Sequence, residues 1–254
     1  AFTIVVAGKG GVGKTTVACE IIRVLRDRKE TPILAVDADP NSTLGEALGL
    51  EAPETVADVL EESQTVVKSL PPGMSKDRYM EERINSTVVE SVGVDLFVMG
   101  RPGGPGCYCY PNMLLRKHLD TLASNYKMIV MDNEAGMEHI SRRTSRNVDL
   151  LVIVSDSSMT AVRAAGRIRT IAEQLKLGIG RAGLLLNRAV DGIPEATQWE
   201  IEKTGLELFG VLPNDSEVHA RSIAGEPILE LPSQAVSLKA LAEVLEKILP
   251  SKAK

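Results

Sequence analysis

Short apolar runs alternate along this chain with longer stretches whose apolar residues recur every three or four positions. The runs Thr3–Ala7, Ile33–Val36, Val94–Met99, Met128–Met131, Leu150–Val154, Gly183–Leu186 and Leu208–Leu212 are apolar at nearly every position. That pattern suits strands buried on both faces, not strands with one face in water. The helical period marks Thr15–Arg28, Thr160–Leu175, Pro194–Thr204 and Ser237–Leu249 as crossover helices between parallel strands. The pattern predicts an α/β fold: a single domain with a mostly parallel sheet flanked by helices. The stretch 51–92, with Pro71-Pro72-Gly73 and many charges, is the least regular and reads as an insertion on the rim. In the last helix Leu238, Leu241, Ala242, Leu245, Ile248 and Leu249 share a face opposite Lys239, Glu243, Glu246 and Lys247. Without a basic excess, that face is expected to pack on the domain and not on a membrane.

The first strand runs directly into Gly8-Lys9-Gly10-Gly11-Val12-Gly13-Lys14-Thr15-Thr16, which opens a helix. Glycines there let backbone N–H groups curl around a phosphate chain, Lys14 reaches the β- and γ-phosphates, and the Thr15 hydroxyl is placed for Mg²⁺. Strand, loop and helix together make this a P-loop, so residues Gly10 to Thr16 are expected to bind a nucleoside triphosphate. Lys9 adds a cation that one subunit does not need, since Lys14 already serves the phosphates.

Composition narrows the setting. The 254 residues are 44% hydrophobic and 25% charged, as in an ordinary globule, and the net charge of -5 argues against a nucleic-acid-coating surface. No apolar run is long enough to span a bilayer, and no leader segment is visible before the first strand. Three cysteines, an odd number, do not form a disulfide framework, so a reducing cytoplasmic setting is expected. Two of them form Cys107-Tyr108-Cys109 in a loop crowded with Gly and Pro. Two thiolates do not fill the shell of Zn²⁺ or Ni²⁺; the same loop on a second subunit, meeting at a two-fold axis, would supply the other two. Two buried thiols or a redox pair are the other readings. Cys19 lies within the first helix and reads as a packed apolar residue. His118 and His139 are within the metal-ligand repertoire but read first as surface residues. Arg142, Arg143, Arg163, Arg167 and Arg169 read as solvated helix faces, with partner docking as the alternative.

The run around Lys9 resembles the deviant Walker A motif of the MinD/ParA/nitrogenase-iron-protein group, in which the extra lysine crosses a dimer interface to the partner's nucleotide. That resemblance implies an ATPase whose hydrolysis is slow and depends on dimer closure. It also implies roles at the ends of other strands. Asp39, before Pro40 and supported by Asp37, would orient the attacking water and serve the Mg²⁺ shell, although Asn41 replaces a carboxylate common in relatives. A turn and helix cap is the competing reading of this segment. Asp132, ending an apolar strand, has the form of a Walker B carboxylate, and 132–142 would be a switch loop, with Glu134 where relatives carry proline. Asn187 matches an adenine-contacting asparagine, and Pro213 and Asp215 fall where relatives touch the purine again.

The deviant P-loop, then Gly-Cys-Tyr-Cys, then Asp-x-x-Ala-Gly-x-Glu-His together resemble the CooC-type ATPases, which mature nickel enzymes. The resemblance covers essentially the whole chain. It implies a homodimer that uses ATP and Mg²⁺ and holds Ni²⁺, or Zn²⁺, on a site shared by Cys107 and Cys109 of both subunits. Its client would be carbon monoxide dehydrogenase or the related acetyl-CoA synthase, with no role for nucleic acid or membrane. An iron–sulfur carrier or electron-transfer ATPase, and a positioning ATPase of the MinD or ParA kind, are the alternatives. The first brings its cysteines from far apart in sequence; the second leaves the cysteine pair unexplained.

Overall fold

The structure, a computed structural model, describes residues 1–66, 73–101, 121–133, 148–175, 178–190 and 192–250. Its strands are β1 (Phe2–Gly8), β2 (Ile33–Asp37), β3 (Val94–Val98), β4 (Met128–Asp132), β5 (Val148–Ser155), β6 (Ile179–Ala189) and β7 (Glu207–Pro213). They form one seven-stranded sheet in the order β3-β2-β4-β1-β5-β6-β7, with every neighbouring pair parallel. The described helices are α1 (Lys14–Asp27), α2 (Leu44–Leu48), α3 (Val56–Val66), α4 (Lys76–Ser86), α5 (Met159–Gln174), α6 (Glu195–Thr204), α7 (Ser216–Ala224) and α8 (Val236–Ile248).

The near-continuous apolarity of the strands follows from this layering. Ile4 and Val6 of β1 point into a core beneath α1 and α8, with Val17, Ile21, Leu25, Leu241 and Leu245. Val5 and Ala7 point the opposite way, into a core with Val59, Met80 and Ile84 of α3 and α4 and Val162, Ala165 and Ile168 of α5. Both faces of the strand are dry, so alternation never appears in the sequence. The apolar face of α8 packs on the domain, as expected from its pattern.

Two expectations are corrected. The described parts of 51–92 are more regular than expected: they contain α3 and α4, whose Val59, Met80 and Ile84 belong to the core. Charges concealed them, because Arg83 bridges Glu54 and Glu62 on the outer side. The strand expected over Gly183–Leu186 extends over 179–189, since Arg181 keeps its backbone in the ladder while its guanidinium lies over the Phe209 ring and reaches Glu207. The three arginines on α5 lie on its solvated side as expected, Arg163 and Arg167 exposed and Arg169 partly so. Arg163 pairs with Glu200 at 3.0 Å, and Arg169 donates to the Thr204 carbonyl, so both tie α5 to α6.

Gly183 sits where β6 meets that Phe209 ring, and a Cβ there would lie 2.3 Å from the ring edge. Gly183→Ala therefore overpacks a buried contact and is expected to lower stability by about 1–3 kcal/mol. Denaturant unfolding of the variant against the parent chain measures this directly.

Candidate nucleotide and active site

The sheet order puts β1 in the centre with β4 and β5 on either side, so its C-terminal end opens into the crevice where such sheets bind ligands. The P-loop leaves β1 there. Gly11 and Gly13 have φ of 85° and 90°, a backbone that favours glycine. The space beside Gly10 and Gly11 is open, whereas a Cβ on Gly13 would lie 2.5 Å from Asn187 Nδ2. Gly13 caps α1 without a side-chain hydrogen bond, which leaves the first N–H groups and the positive helix end for an anion. Lys14 is buried at the start of this helix, and Lys9 is exposed on the loop.

Register explains the acidic cluster. Asp132 of β4 lies level with Val6 of β1 on one side and with Asp37 of β2 on the other. The Thr15 hydroxyl donates to Asp132 Oδ2 at 2.6 Å, and Asp132 Oδ1 is buried with no hydrogen-bond partner among the described residues. Burial pushes the Asp132 carboxyl up to about 6 and the nearby Asp39 charge adds to this, against the Thr15 hydroxyl and the Lys14 ammonium. Burial likewise pushes Asp37 up to about 7, opposed by the Leu44 N–H it accepts. Asp37 has a structural role: its two oxygens accept from Leu44 N and Asp39 N and shape the turn after β2. Asp39 is less buried, and its Oδ1 accepts from the backbone and side-chain amides of Asn41. Asn41 thus orients Asp39 where a second carboxylate was the family pattern.

A hydroxyl, an orphaned buried carboxylate oxygen and a second carboxylate form a hard-oxygen set that fits Mg²⁺, which takes its remaining ligands from phosphate and water. Thr15 would hold the ion, with Asp132 and Asp39 behind it.

Beside the P-loop, Thr16, Glu20, Asn187, Arg188, Pro213 and Asp215 border one recess. The fold thus brings the expected nucleotide residues Thr16, Asn187, Pro213 and Asp215 to a single place. Asn187 also braces the loop: its Nδ2 donates to Val12 O at 2.9 Å and its Oδ1 accepts from Arg188 N at 3.0 Å. One N–H and one lone pair of the amide are left for a ligand. Sequence reasoning missed Glu20, Arg188 and Ser237. The signal for Glu20 was present, as a carboxylate between Cys19 and Ile21 in the apolar run of α1. Arg188 has φ 57° and donates from Nη1 to Gly11 O at 3.3 Å, a contact between distant parts of the chain that no spacing reveals.

Gly13→Ala is expected to weaken nucleotide affinity by at least about tenfold, because its Cβ forces Asn187 off Val12 and opposes the positive φ. Titration of the variant with a fluorescent ADP analogue checks this.

Cys107, Cys109, His118, His139, Arg142 and Arg143, and the part of the expected switch loop beyond Asn133, lie outside the described residues. Among the described residues, no three His, Cys, Asp or Glu side chains form a metal-ligand group, and no helix is long and apolar enough to cross a membrane. Cys19 is buried as expected, with its thiol donating to the Ala47 carbonyl. Burial, then the Glu20 charge, pushes that thiol well above the ordinary range, so it is neither a nucleophile nor a ready metal ligand.

Residues 3–228 match the model of the CobQ/CobB/MinD/ParA nucleotide binding domain. An uncharacterized ATP-binding protein of Methanocaldococcus jannaschii is 39% identical over 251 residues, covering 98% of this chain and 99% of that protein. The carbon monoxide dehydrogenase accessory protein CooC of Rhodospirillum rubrum is 31% identical over 263 residues, covering 98% of each. The MinD cell division protein of Aquifex aeolicus has a similar solved structure, with a TM-score of 0.71 at 21% identity, over 100% of this chain and 99% of that one.

Proposed function

The chain belongs to the CobQ/CobB/MinD/ParA nucleotide-binding family, and we propose that within it the protein is an ATP-dependent metallochaperone. It acts as a homodimer that carries Ni²⁺ to carbon monoxide dehydrogenase or a related nickel enzyme in the cytoplasm. The observation that carries this reading is Gly106-Cys107-Tyr108-Cys109 between β3 and β4, in a chain with 31% identity to a carbon monoxide dehydrogenase accessory protein. A positioning role leaves two thiols one residue apart unexplained, and a nitrogenase-iron-protein-like role would bring its cysteines from far apart in sequence. Four thiolates from two subunits would close a shell around the cargo ion.

The nucleotide chemistry follows from the residues of the crevice. The N–H groups of the P-loop and α1 take the phosphates, and Lys14 neutralises charge at the β–γ bridge. Bound Mg²⁺ would supply charge neutralisation on the β- and γ-oxygens. Asp39, held by Asn41, orients the attacking water. The recess around Asn187, Pro213 and Asp215 takes the base. Lys9, exposed in one subunit, meets the partner's phosphates only when two subunits close, so hydrolysis is slow until then. Closure also moves the two cysteine loops relative to one another, which is how ATP would change the grip on the ion.

Lys9→Ala tests the dimer-dependent part. The variant is expected to lose at least about a hundredfold in ATP turnover while its nucleotide affinity as an isolated subunit changes less than about threefold. Normal turnover in this variant overturns the interfacial role. Sedimentation should show the parent chain shifting from monomer towards dimer with ATP or nickel; a strict monomer with both present contradicts the shared site.

A further inference from the structure

The recess wall contains a hydrogen-bond chain that needs one more proton than its charges suggest. Ser237, at the start of α8, places its Oγ 2.5 Å from Glu20 Oε1 and 3.0 Å from Asp215 Oδ2. Glu20, Ser237 and Asp215 are 1%, 3% and 6% exposed. A serine hydroxyl has a single hydrogen to donate. If it goes to Asp215, the short contact with Glu20 sets lone pair against lone pair unless Glu20 carries a proton. If it goes to Glu20, the same conflict falls on Asp215. Asp215 is built to be the ionised member. Its Oδ1 accepts from Glu217 N, and its Oδ2 accepts from Ser237 N, both at 2.9 Å, at the N-terminus of α7. Burial opposes this charge, but the backbone N–H donors of Ser237 and Glu217 outweigh it and keep the carboxyl below its ordinary range. Among the described residues, the hydrogen bond to Glu20 comes from the Ser237 hydroxyl and not from an N–H. Burial, with the Asp215 charge added, pushes it up to about 7 against the Ser237 hydroxyl.

We propose that Glu20 keeps its proton at neutral pH and, as part of the wall of the base recess, couples nucleotide binding to proton uptake. This rests on the reading of the recess as the site of the base. A base seated there displaces the recess solvent that screens Glu20, which disfavours its charged form further. The carboxyl then holds its proton more tightly in the complex than in the free chain, and reciprocity makes nucleotide affinity fall as pH rises between the two values. Among the described residues, the other groups facing Glu20 are few. Asp215 and His219 come from the N-cap and body of α7, and Arg188 from the end of β6. From α8 comes the uncharged Ser237. On α1 itself, Cys19 is neutral and Arg23 is turned onto the Leu229 and Leu231 carbonyls.

The test is calorimetric titration of the full chain with MgADP in two buffers of different ionisation enthalpy, comparing the parent, Glu20→Gln and His219→Gln. The glutamine keeps the shape of the neutral acid and cannot titrate. Any proton exchange by the phosphates is common to all three chains, so the difference isolates Glu20. Near neutral pH the parent and His219→Gln should take up about half a proton beyond Glu20→Gln. Between about pH 6 and 9 the parent should lose about tenfold in affinity relative to Glu20→Gln. Equal proton uptake and parallel pH profiles, with nucleotide bound in every case, would overturn the proposal. Failure of the parent to bind MgADP would instead overturn the nucleotide reading. The proton is then decided by melting without ligand: Glu20→Gln should gain on the parent as pH rises from about 5 to 8, and a constant difference would refute a protonated Glu20.

Discussion

Lys14→Ala is expected to abolish ATP turnover, with a loss of at least about a hundredfold, the scale for removing one preorganised donor from developing negative charge. Lys14 is buried at the first position of α1, beside open-backed glycines, with Asp132 near enough to feel its charge. An alanine removes a buried cation that the loop holds against the phosphates, and among the described residues none replaces it: Lys9 is exposed and Arg188 is engaged with the Gly11 carbonyl. Thr15→Ala should act comparably by a different route, since it removes the hydroxyl on Asp132 and with it a magnesium ligand. Single-turnover phosphate release separates the two. Raising Mg²⁺ should recover part of the activity of Thr15→Ala and none of that of Lys14→Ala.

The second large effect concerns the cargo. Replacing Cys107 and Cys109 together by alanine should weaken Ni²⁺ binding by more than about a hundredfold, the upper end of what loss of a mere outer-shell partner costs a metal site. ATP binding and the melting temperature should change little, because the P-loop leaves β1 and is tied to Asp132 of β4 and Asn187 of β6. Thiols must lose protons to ligate, so nickel affinity of the parent chain should fall as pH falls. Equilibrium dialysis against Ni²⁺ at several pH values gives both results. Nickel binding that survives the double replacement would move the site elsewhere in the chain.

Legibility differed by kind of feature. Strands buried on both faces announce themselves through unbroken apolar runs, and all seven lie where those runs fall. The P-loop was legible because its chemistry is local: glycines, lysine and threonine within one turn of chain. Helices α3 and α4 were hidden, since the outer face of each is so charged that the apolar positions, such as Val59 and Ile84, form a thin stripe. The recess was legible only in part. Asn187, Pro213 and Asp215 end strands whose C-terminal edge is the binding edge, a rule that sequence order supplies. Glu20 and Ser237 are 217 positions apart, and only the packing of α8 on α1 brings them together. The same holds for Arg188 and Gly11, 177 positions apart.

The central claim is that ATP controls a nickel ion shared between two subunits. Its most direct test is nickel stoichiometry on anaerobically prepared protein, measured without nucleotide, with ATP, and after hydrolysis to ADP. The account predicts about one Ni²⁺ per two chains, bound by cysteine thiolates, with an affinity that differs between the ATP and ADP states. Nickel bound to single chains, or held equally tightly whatever the nucleotide, would contradict it.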